Sequence, residues 1–441
     1  MPAKPVFQKW EGHEKGSAAY RRLLAALFFA GIATFAQLYS PQAALPEIST
    51  DLGIGAASAA LVVSASTVGL AIGVIPWSVL ADRYGRLRSM SVAVVAASVF
   101  GLAVPFSPSV EVLLAGRFLE GMMVGGVPAI AIAYLSEEIH PGHAARAAGT
   151  YVAGTTIGGL LGRLVAGPVA ELLSWRAGVF TVAVLCTVSA IVFIRLAPSP
   201  RGFVAPHLRE PEASPTLRSR LWVNLRSPQQ LVLYAQAFLL MGGFVALYNY
   251  LGFRLGAAPF WLPPAVVSLV FLAYLAGTWS SAKAGALASR VGRRAVLLVS
   301  IVVMMAGVAL TLAPLLAVVL AGLVLATAGF FGAHSTASGW TAAAAHPTAR
   351  AQASSLYNLA YYAGSSLFGW LGGVFFDAVG WSATAAMIGA LALGAGLLAV
   401  VGLTPGRIER GLASGSPASG SPVSESPTSG HPAAGRPEAG A

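Results

Sequence analysis

The chain has 441 residues, of which 56% are hydrophobic and only 10% charged, and its mean hydropathy is +0.74. This composition excludes an ordinary soluble globular protein and indicates a chain that lies largely in lipid. The net charge of +11 is typical of nucleic-acid-binding proteins, but the placement of the basic residues, described below, argues against a nucleic-acid partner.

Twelve apolar stretches follow one another along the chain, separated by short polar or turn-rich connections. A transmembrane helix needs about 20 apolar residues to cross a hydrocarbon core of about 30 Å, and the stretches have about that length. The sequence therefore predicts an all-α integral membrane protein with 12 transmembrane helices. The stretches lie near residues 24–46, 57–79, 89–107, 110–135, 147–169, 177–196, 230–252, 265–287, 295–313, 315–341, 351–376 and 382–404.

The second half of the chain repeats the first at an offset of 206 or 207 residues. The nonapeptide LADRYGRLR at 80–88 returns as LASRVGRRA at 287–295. Glu171 and Asp377 correspond in the same way, and so do Gly167 and Gly373. A period this long indicates a duplicated six-helix unit rather than a solenoid, so we predict two pseudo-symmetric six-helix halves.

Composition divides the chain further. Proline and arginine are frequent between the halves, and Ser, Pro, Gly and Ala dominate the C-terminal end, which is typical of segments without a packed core. The predicted order is an N-terminal arm at 1–22, an N-terminal half at 23–196, a linker at 197–228, a C-terminal half at 229–404 and a disordered tail at 405–441.

Lys and Arg are concentrated on one side of the predicted bundle. Most of the 27 basic residues lie in the arm, the linker, the tail and the loops that carry the two nonapeptides, whereas the opposite loops contain only Arg176 and Arg254. Because cytoplasmic loops of membrane proteins collect basic residues, both termini are predicted to be cytoplasmic. We expect a multi-pass protein of a bacterial inner membrane whose first stretch is retained as a helix.

The two nonapeptides fit one loop signature: Gly, three residues, Asp, Arg, one residue, Gly, then Arg or Lys. The first copy has Ser78 in the leading position and keeps Asp82, Arg83, Gly85 and Arg86. The second has Ser289 in place of the acid and keeps Gly285, Arg290, Gly292 and Arg293. On a duplicated six-helix unit, this loop resembles the signature of the major facilitator superfamily of secondary transporters, over about residues 20–405.

This resemblance implies the major facilitator fold and a signature loop that holds the cytoplasmic side closed. We expect the first copy to act as the latch because it keeps Asp82; an ordinary basic loop is the alternative. The fifth stretch also resembles the Gly- and Pro-containing segment of drug:proton antiporters, and other strings resemble arabinose-efflux-type permeases. The residues that carry the antiporter likeness, which we expect to pack helices together, are Gly154, Gly158, Gly159, Gly167 and Pro168.

A few ionisable residues lie well inside apolar stretches, where a charge costs about 2.5–3.5 kcal/mol unless it is compensated. Arg117 and Glu120 are spaced i, i+3 and share a helix face, and we expect Arg163 on the next helix to complete a buried cluster with them. Glu120, with Arg117, is a candidate for the coupling proton, and His334 is an alternative. The alternative for Arg117 and Glu120 is a purely structural ion pair. Arg163 either binds substrate or only bonds backbone carbonyls.

Polar and aromatic side chains in four stretches are candidates for the wall of a central cavity. Tyr357 and Tyr361 are spaced i, i+4 and project from one helix face. Such walls suit a mid-sized amphipathic solute, although hydrogen bonds between helices are an equal alternative for any one residue. With Arg163, the candidates are Gln37, Tyr248, Asn249, Tyr357, Asn358 and Tyr361.

The sequence contains no phosphate-binding loop and no pair of histidines spaced as metal ligands, so we expect neither an enzyme nor a cofactor. The prediction is a monomeric, proton-coupled secondary transporter that exports a small organic or drug-like solute by antiport and alternating access. Uptake of a small, possibly anionic metabolite by symport or facilitated diffusion is the first alternative. A transport-inactive membrane receptor or scaffold is the second.

Overall fold

The computed structural model describes residues 10–203 and 216–403. The described ranges contain α-helices, short 3-10 turns and a single β-bridge between His13 and Ile139. The predicted tail and parts of the predicted arm and linker lie outside the described residues, so the domain boundaries remain predictions.

The helices follow the order expected of two repeated units. The N-terminal half contains α1 (Ala18–Tyr39), α2 (Leu45–Leu52), α3 (Ala56–Tyr84), α4 (Arg86–Ala103), α5 (Val110–Val124), α6 (Pro128–Glu138), α7 (Pro141–Leu172) and α8 (Trp175–Leu196). The remaining helices are α9 (Leu217–Leu225), α10 (Pro228–Gly256), α11 (Pro264–Ser268), α12 (Tyr274–Val291), α13 (Arg293–Leu310), α14 (Leu316–Ala344), α15 (Arg350–Val379) and α16 (Trp381–Gly402).

Eleven helical stretches of the described chain are long and apolar enough to cross a membrane, and three of them are broken helices: α1 with α2, α5 with α6, and α11 with α12. The twelfth predicted helix is α15, whose 30 residues include the polar side chains of Gln352, Asn358 and Tyr361. It packs against α10 and α16 and, across the molecule, against α3. The predicted all-α architecture of 12 helices in two halves is therefore confirmed.

Proline explains where the first helix breaks. Pro41 is the second residue of the 3-10 turn Ser40–Ala44, and Pro46 lies in the first turn of α2. A proline has no N–H to donate to the preceding turn, so the regular α-helical ladder stops before it. As a result, Gln42 leaves the axis of α1 and lies in the turn between α1 and α2.

The two ends of the bundle can be named from the chain path. On one end, which we call the linker face, α1 begins, α8 ends and α10 begins; on the opposite end, the distal face, α3 and α11 begin and α7 and α15 end. The predicted orientation makes the linker face cytoplasmic. Two buried apolar clusters lie in the N-terminal half, and a third fills the C-terminal half and extends across to Ala43, Ala56 and Ala60.

Candidate functional site

Two carboxylates join the halves at the distal face. Asp377, at the end of α15, accepts hydrogen bonds from the backbone N–H groups of Ala56 (2.9 Å) and Ala57 (3.0 Å), the first residues of α3. Glu171, at the end of α7, accepts one from the N–H of Ala265 in α11 (2.8 Å). Each carboxylate satisfies N–H groups that a helix start leaves without a partner. The repeat-related positions 171 and 377 therefore make equivalent contacts in opposite directions, and we call them the twin caps.

Further hydrogen bonds join the halves closer to the middle of the helices. The hydroxyls of Thr67 in α3 and Ser366 in α15 are 2.8 Å apart, and Ser64 donates to the carbonyl of Ser366 (3.2 Å). Gln42 Nε2 donates to Oδ1 of Asn249 in α10 (2.6 Å). Together with the twin caps, these contacts hold the halves together from the midplane to the distal face.

Arg163 lies in α7 where the halves meet, and its side chain is 3% exposed. Its Nε donates to Oε1 of Gln42 (2.8 Å), and its Nη1 donates to the Gly159 carbonyl one turn earlier (2.8 Å). The guanidinium carbon lies 4.4, 4.8 and 5.1 Å from the ring centres of Tyr39, Phe271 and Tyr274, respectively. We call these three rings and Arg163 the arginine cage. A chain of polar contacts thus runs from Arg163 through Gln42 into the C-terminal half.

His334, Tyr357 and Tyr361 form a second part of the same region. The Tyr357 hydroxyl lies 3.0 Å from Nδ1 of His334, and the Tyr361 ring centre lies 5.0 Å from that of His334. The i, i+4 tyrosines of α15 thus meet one histidine of α14. Tyr248 is buried, shares a hydrogen bond with the Thr327 hydroxyl (2.7 Å) and contacts both C-terminal rings of the arginine cage. These side chains extend the cage into the C-terminal half.

Arg117 and Glu120 form a separate, fully buried pair inside the N-terminal half. Nη1 of Arg117 lies 2.6 Å from Oε2 of Glu120, and the two side chains are 0% and 1% exposed. The remaining Arg117 donors bind backbone carbonyls: those of Gln37 (3.2 Å) and Leu38 (2.6 Å) at the end of α1, and that of Val62 in α3 (3.0 Å). The expected joint cluster with Arg163 is not formed, because the two arginines have different neighbours.

Two cavity candidates lie elsewhere than expected. Gln37 is buried inside the N-terminal half, where its amide donates to the Ala97 carbonyl, and Asn358 is exposed on α15. Gln42, Tyr39 and Tyr274, which contact Arg163, are not among the cavity residues predicted from the sequence. The proline at position 41 was the available signal, because it ends α1 and turns the next polar side chain towards the other half.

The two signature loops differ as their sequences predict. Both glycines adopt a positive φ, +95° at Gly85 and +91° at Gly292, a conformation that favours glycine. In the first copy, Arg86 pairs with Asp82 (2.6 Å) and with Glu137 at the end of α6 (3.0 Å). In the second copy Ser289 donates only to the Ala286 carbonyl of its own helix.

The remaining basic residues of the signature loops lie at the surface. The Arg83 guanidinium lies over the Tyr84 ring, and Arg290 and Arg293 are exposed. The ion pairs of the first copy all lie within the N-terminal half. A latch function for that copy therefore remains a prediction.

The glycines of α7 bring backbones together at three places. A methyl group at Gly154 would collide with the Phe28 carbonyl, and one at Gly158 would lie 2.7 Å from the Ile32 Cα, so both permit the close approach of α1. A methyl at Gly167 would lie 2.5 Å from the Ser268 Cβ in the other half. Gly159 faces the Arg163 side chain, and Pro168 lies inside the helix.

The N-terminal arm docks on the linker face through His13. The His13 N–H donates to the carbonyl of Glu138 (2.7 Å), and the His13 ring lies 4.0 Å from the Glu138 carboxylate. Glu138 Oε1 also accepts from the N–H groups of Arg201 and Gly202, both at 2.7 Å. Burial lowers the pKa of His13, Glu138 raises it and Arg201 lowers it, and the net result is a pKa below the ordinary value.

Known proteins resemble this chain over most of its length. The inner membrane transport protein YnfM of Escherichia coli is 42% identical over 375 residues, which cover 85% of this chain and 89% of that protein. The uncharacterized transporter YybF of Bacillus subtilis is 37% identical, covering 85% and 91%. A solved structure of a bacterial homologue of the lysosomal transporter Spinster has a TM-score of 0.72 at 16% identity, covering 88% and 96%.

The family model of the Major Facilitator Superfamily matches residues 27–284 and 260–434. These two matches together include nearly all of both halves, and the relatives at 42% and 37% identity are named as transporters. The chain is therefore a multi-pass membrane transporter and belongs to the Major Facilitator Superfamily.

Proposed function

We propose that the protein is a proton-coupled secondary transporter that moves a small organic solute through the space between its halves by alternating access. One observation carries this proposal: the halves meet through polar and aromatic side chains around Arg163 and are joined from the midplane to the distal face. Transporters built from repeats bind their substrate near the midplane and rock around it. The name of the relative YnfM supports placement in an inner membrane.

Proton coupling through Glu120 is supported by the other contacts of its partner, Arg117. Arg117 binds Glu120 and the last carbonyls of α1, at Gln37 and Leu38. Four residues further, Gln42 binds both Arg163 and the C-terminal half. A proton on Glu120 removes the charge that Arg117 faces, so Arg117 changes its hold on α1. That change reaches Gln42 through the short turn between them.

His334 is the second proton candidate because it lies beside Tyr357 and Tyr361. Export by antiport is supported by the glycine and proline pattern of α7, which resembles that of drug:proton antiporters. Uptake of an anion is the second candidate function, and Arg163 favours it, since this buried cation lies between the halves. Export by antiport and uptake by symport both require flux that depends on a proton gradient, whereas uptake by facilitated diffusion does not.

Reconstitution in liposomes tests the proposal. A pH gradient is imposed, benzoate, benzamide and ethidium are supplied in turn, and solute flux is followed with the internal pH. We expect flux of at least one probe above that of protein-free liposomes, with movement of protons, and loss of this protein-dependent proton movement in Glu120→Gln. Glu111→Gln, which changes an exposed acid on the same helix, is the matched control.

Flux with unchanged proton movement in Glu120→Gln would remove Glu120 from the coupling mechanism, and the same measurement on His334→Gln then tests the second site. Flux that ignores the gradient in the wild-type protein would overturn proton coupling itself. No flux of any probe from correctly folded protein would favour the receptor or scaffold alternative.

A further inference from the structure

We propose that Arg163 anchors the carboxylate of the transported solute, so that the substrate class is small organic anions with an apolar or aromatic body. This inference rests on the proposed function, but it is independent of the direction of transport. It is carried by four features of the arginine cage: a charge without a described counter-ion, an open donor, aromatic walls and a position across the two halves.

The charge of Arg163 has no counter-ion in the part of the chain that the structure describes. The ion pairs found there use other arginines, and the acid inside the same half, Glu120, is bound to Arg117. A buried charge without a partner is costly, and buried arginines are ordinarily paired with carboxylates. A solute carboxylate would supply the missing charge.

The hydrogen-bonding state of Arg163 leaves room for such a partner. Nε and Nη1 donate to Gln42 and Gly159, whereas Nη2 donates to no described residue. Arg117 is the internal comparison, because its Nε, Nη1 and Nη2 all have protein acceptors. A guanidinium presents its donors in a planar fork that matches a carboxylate, so the open edge of Arg163 fits an anion better than a neutral amide.

The walls of the arginine cage define the rest of the solute. Tyr39, Phe271 and Tyr274 surround the guanidinium, and the rings of Tyr248, Tyr361 and His334 continue the surface into the C-terminal half. Aromatic rings favour offset or edge contacts with another ring. A planar apolar body attached to the carboxylate therefore fits this surface better than a sugar or a long polar chain.

The position of Arg163 also connects binding to the contact between the halves. Gln42 accepts from Arg163 and donates to Asn249, so one amide joins the cation to the C-terminal half. A carboxylate that binds the planar fork through both Nη2 and Nε competes with Gln42 for Nε. Binding is thereby expected to weaken one of the contacts that close the midplane, which gives the anion an effect on the conformational equilibrium.

Thermal unfolding of the full chain in nanodiscs tests the carboxylate preference. Three matched pairs of probes are used: benzoate and benzamide, phenylacetate and phenylacetamide, cinnamate and cinnamamide. A ligand that binds the folded protein raises its unfolding temperature. We expect at least one carboxylate to bind at least tenfold more tightly than its amide.

The preference must depend on residue 163. We expect it to disappear in Arg163→Gln, to persist in weakened form in Arg163→Lys, and to be unchanged in the control Arg88→Gln, which removes an exposed arginine of α4. If Arg163→Gln does not fold, Arg163→Lys and the wild-type pairs still decide the question. Equal binding of acids and amides across all pairs, or a carboxylate preference that survives in Arg163→Gln, overturns the inference.

The liposome experiment separates this inference from the proposed function. Proton-coupled flux of benzamide or ethidium that benzoate does not inhibit leaves the transporter proposal standing and refutes the anion site. Carboxylate binding without flux of any probe would support the anion site and refute the transport proposal.

Discussion

Removing the charge of the twin caps should open the distal face. Asp377 and Glu171 are carboxylates from opposite halves that accept hydrogen bonds from the N–H groups of Ala56, Ala57 and Ala265. Asp377→Asn and Glu171→Gln keep the size of each side chain and one acceptor oxygen, but they abolish the negative charge at the helix start. The caps stabilise only the distally closed state, so their weakening shifts the equilibrium towards the distally open state.

The expected size follows from the type of contact. A hydrogen bond to a charged group contributes about 1.5–3 kcal/mol, and a charge at a helix end about 0.3–1 kcal/mol. Both carboxylates are exposed, so solvent screening reduces these values and we expect a loss of about 1 kcal/mol at each site. That loss shifts the equilibrium constant between the distally closed and distally open states roughly fivefold for one substitution and roughly 30-fold for both.

Distances between spin labels measure the shift directly. Leu172 at the end of α7 is 80% exposed and Val379 at the end of α15 is 70% exposed, so Leu172→Cys and Val379→Cys accept labels at the distal face of each half. The buried Cys186, the only cysteine of the chain, is replaced by alanine. The distally open state has the longer distance between the two labels. We expect the population with this longer distance to increase in each single variant and to increase further in the double variant.

Asp51→Asn is the matched control, because Asp51 is a distal carboxylate that accepts from the indole N–H of Trp175 within its own half (2.8 Å). An unchanged distance distribution in the double variant would refute the role of the twin caps. An equal shift in Asp51→Asn would show that distal charge in general, and not the caps, controls the opening.

Three further results are expected. Asp82→Asn should reduce transport while Ser289→Ala leaves it unchanged, since only the first signature loop has an ion pair; equal losses in liposome flux would contradict this asymmetry. Gly158→Ala should lower the unfolding temperature because a methyl there meets the backbone of α1, whereas Gly389→Ala, which faces open space, should not; calorimetry compares the two. Because burial keeps the pKa of His13 below its ordinary value of about 6.5, docking is fully stable above that pH and weakens as the pH falls through the lowered pKa. The protection of residues 10–17 against hydrogen exchange, relative to the intrinsic rate at each pH, should therefore fall on acidification, and its pH dependence should flatten in His13→Asn.

The architecture was predictable because its signals are long and repeated. Each span needs about 20 apolar residues, and twelve such stretches at a half-chain period leave few alternatives. Even α15, whose polar residues reduce its hydropathy, was among the twelve predicted stretches. The equivalent positions Glu171 and Asp377 were likewise visible in the sequence, although their contacts with the opposite half were not.

The site was less predictable because helix rotation is decided by packing. Gln37 was predicted to line the cavity, yet Gln42, beyond the break at Pro41, is the glutamine that reaches the other half. Arg163 was expected to join Arg117 and Glu120, since depth in the membrane can be counted from the sequence while direction around a helix axis cannot. A hydropathy pattern does not show which face of α7 meets the other half.

Two glycines beside the twin caps, Gly167 and Gly373, bring the backbone of one half directly against the other half. At Gly167 a methyl group would meet Ser268, and at the repeat-related Gly373 it would meet Ala57, so at both places a bare backbone touches the opposite half. No side chain from these glycines interlocks with its neighbour. Because interlocked side chains resist sliding and a bare backbone does not, we expect these two repeat-related contacts to offer little steric resistance when one half moves against the other.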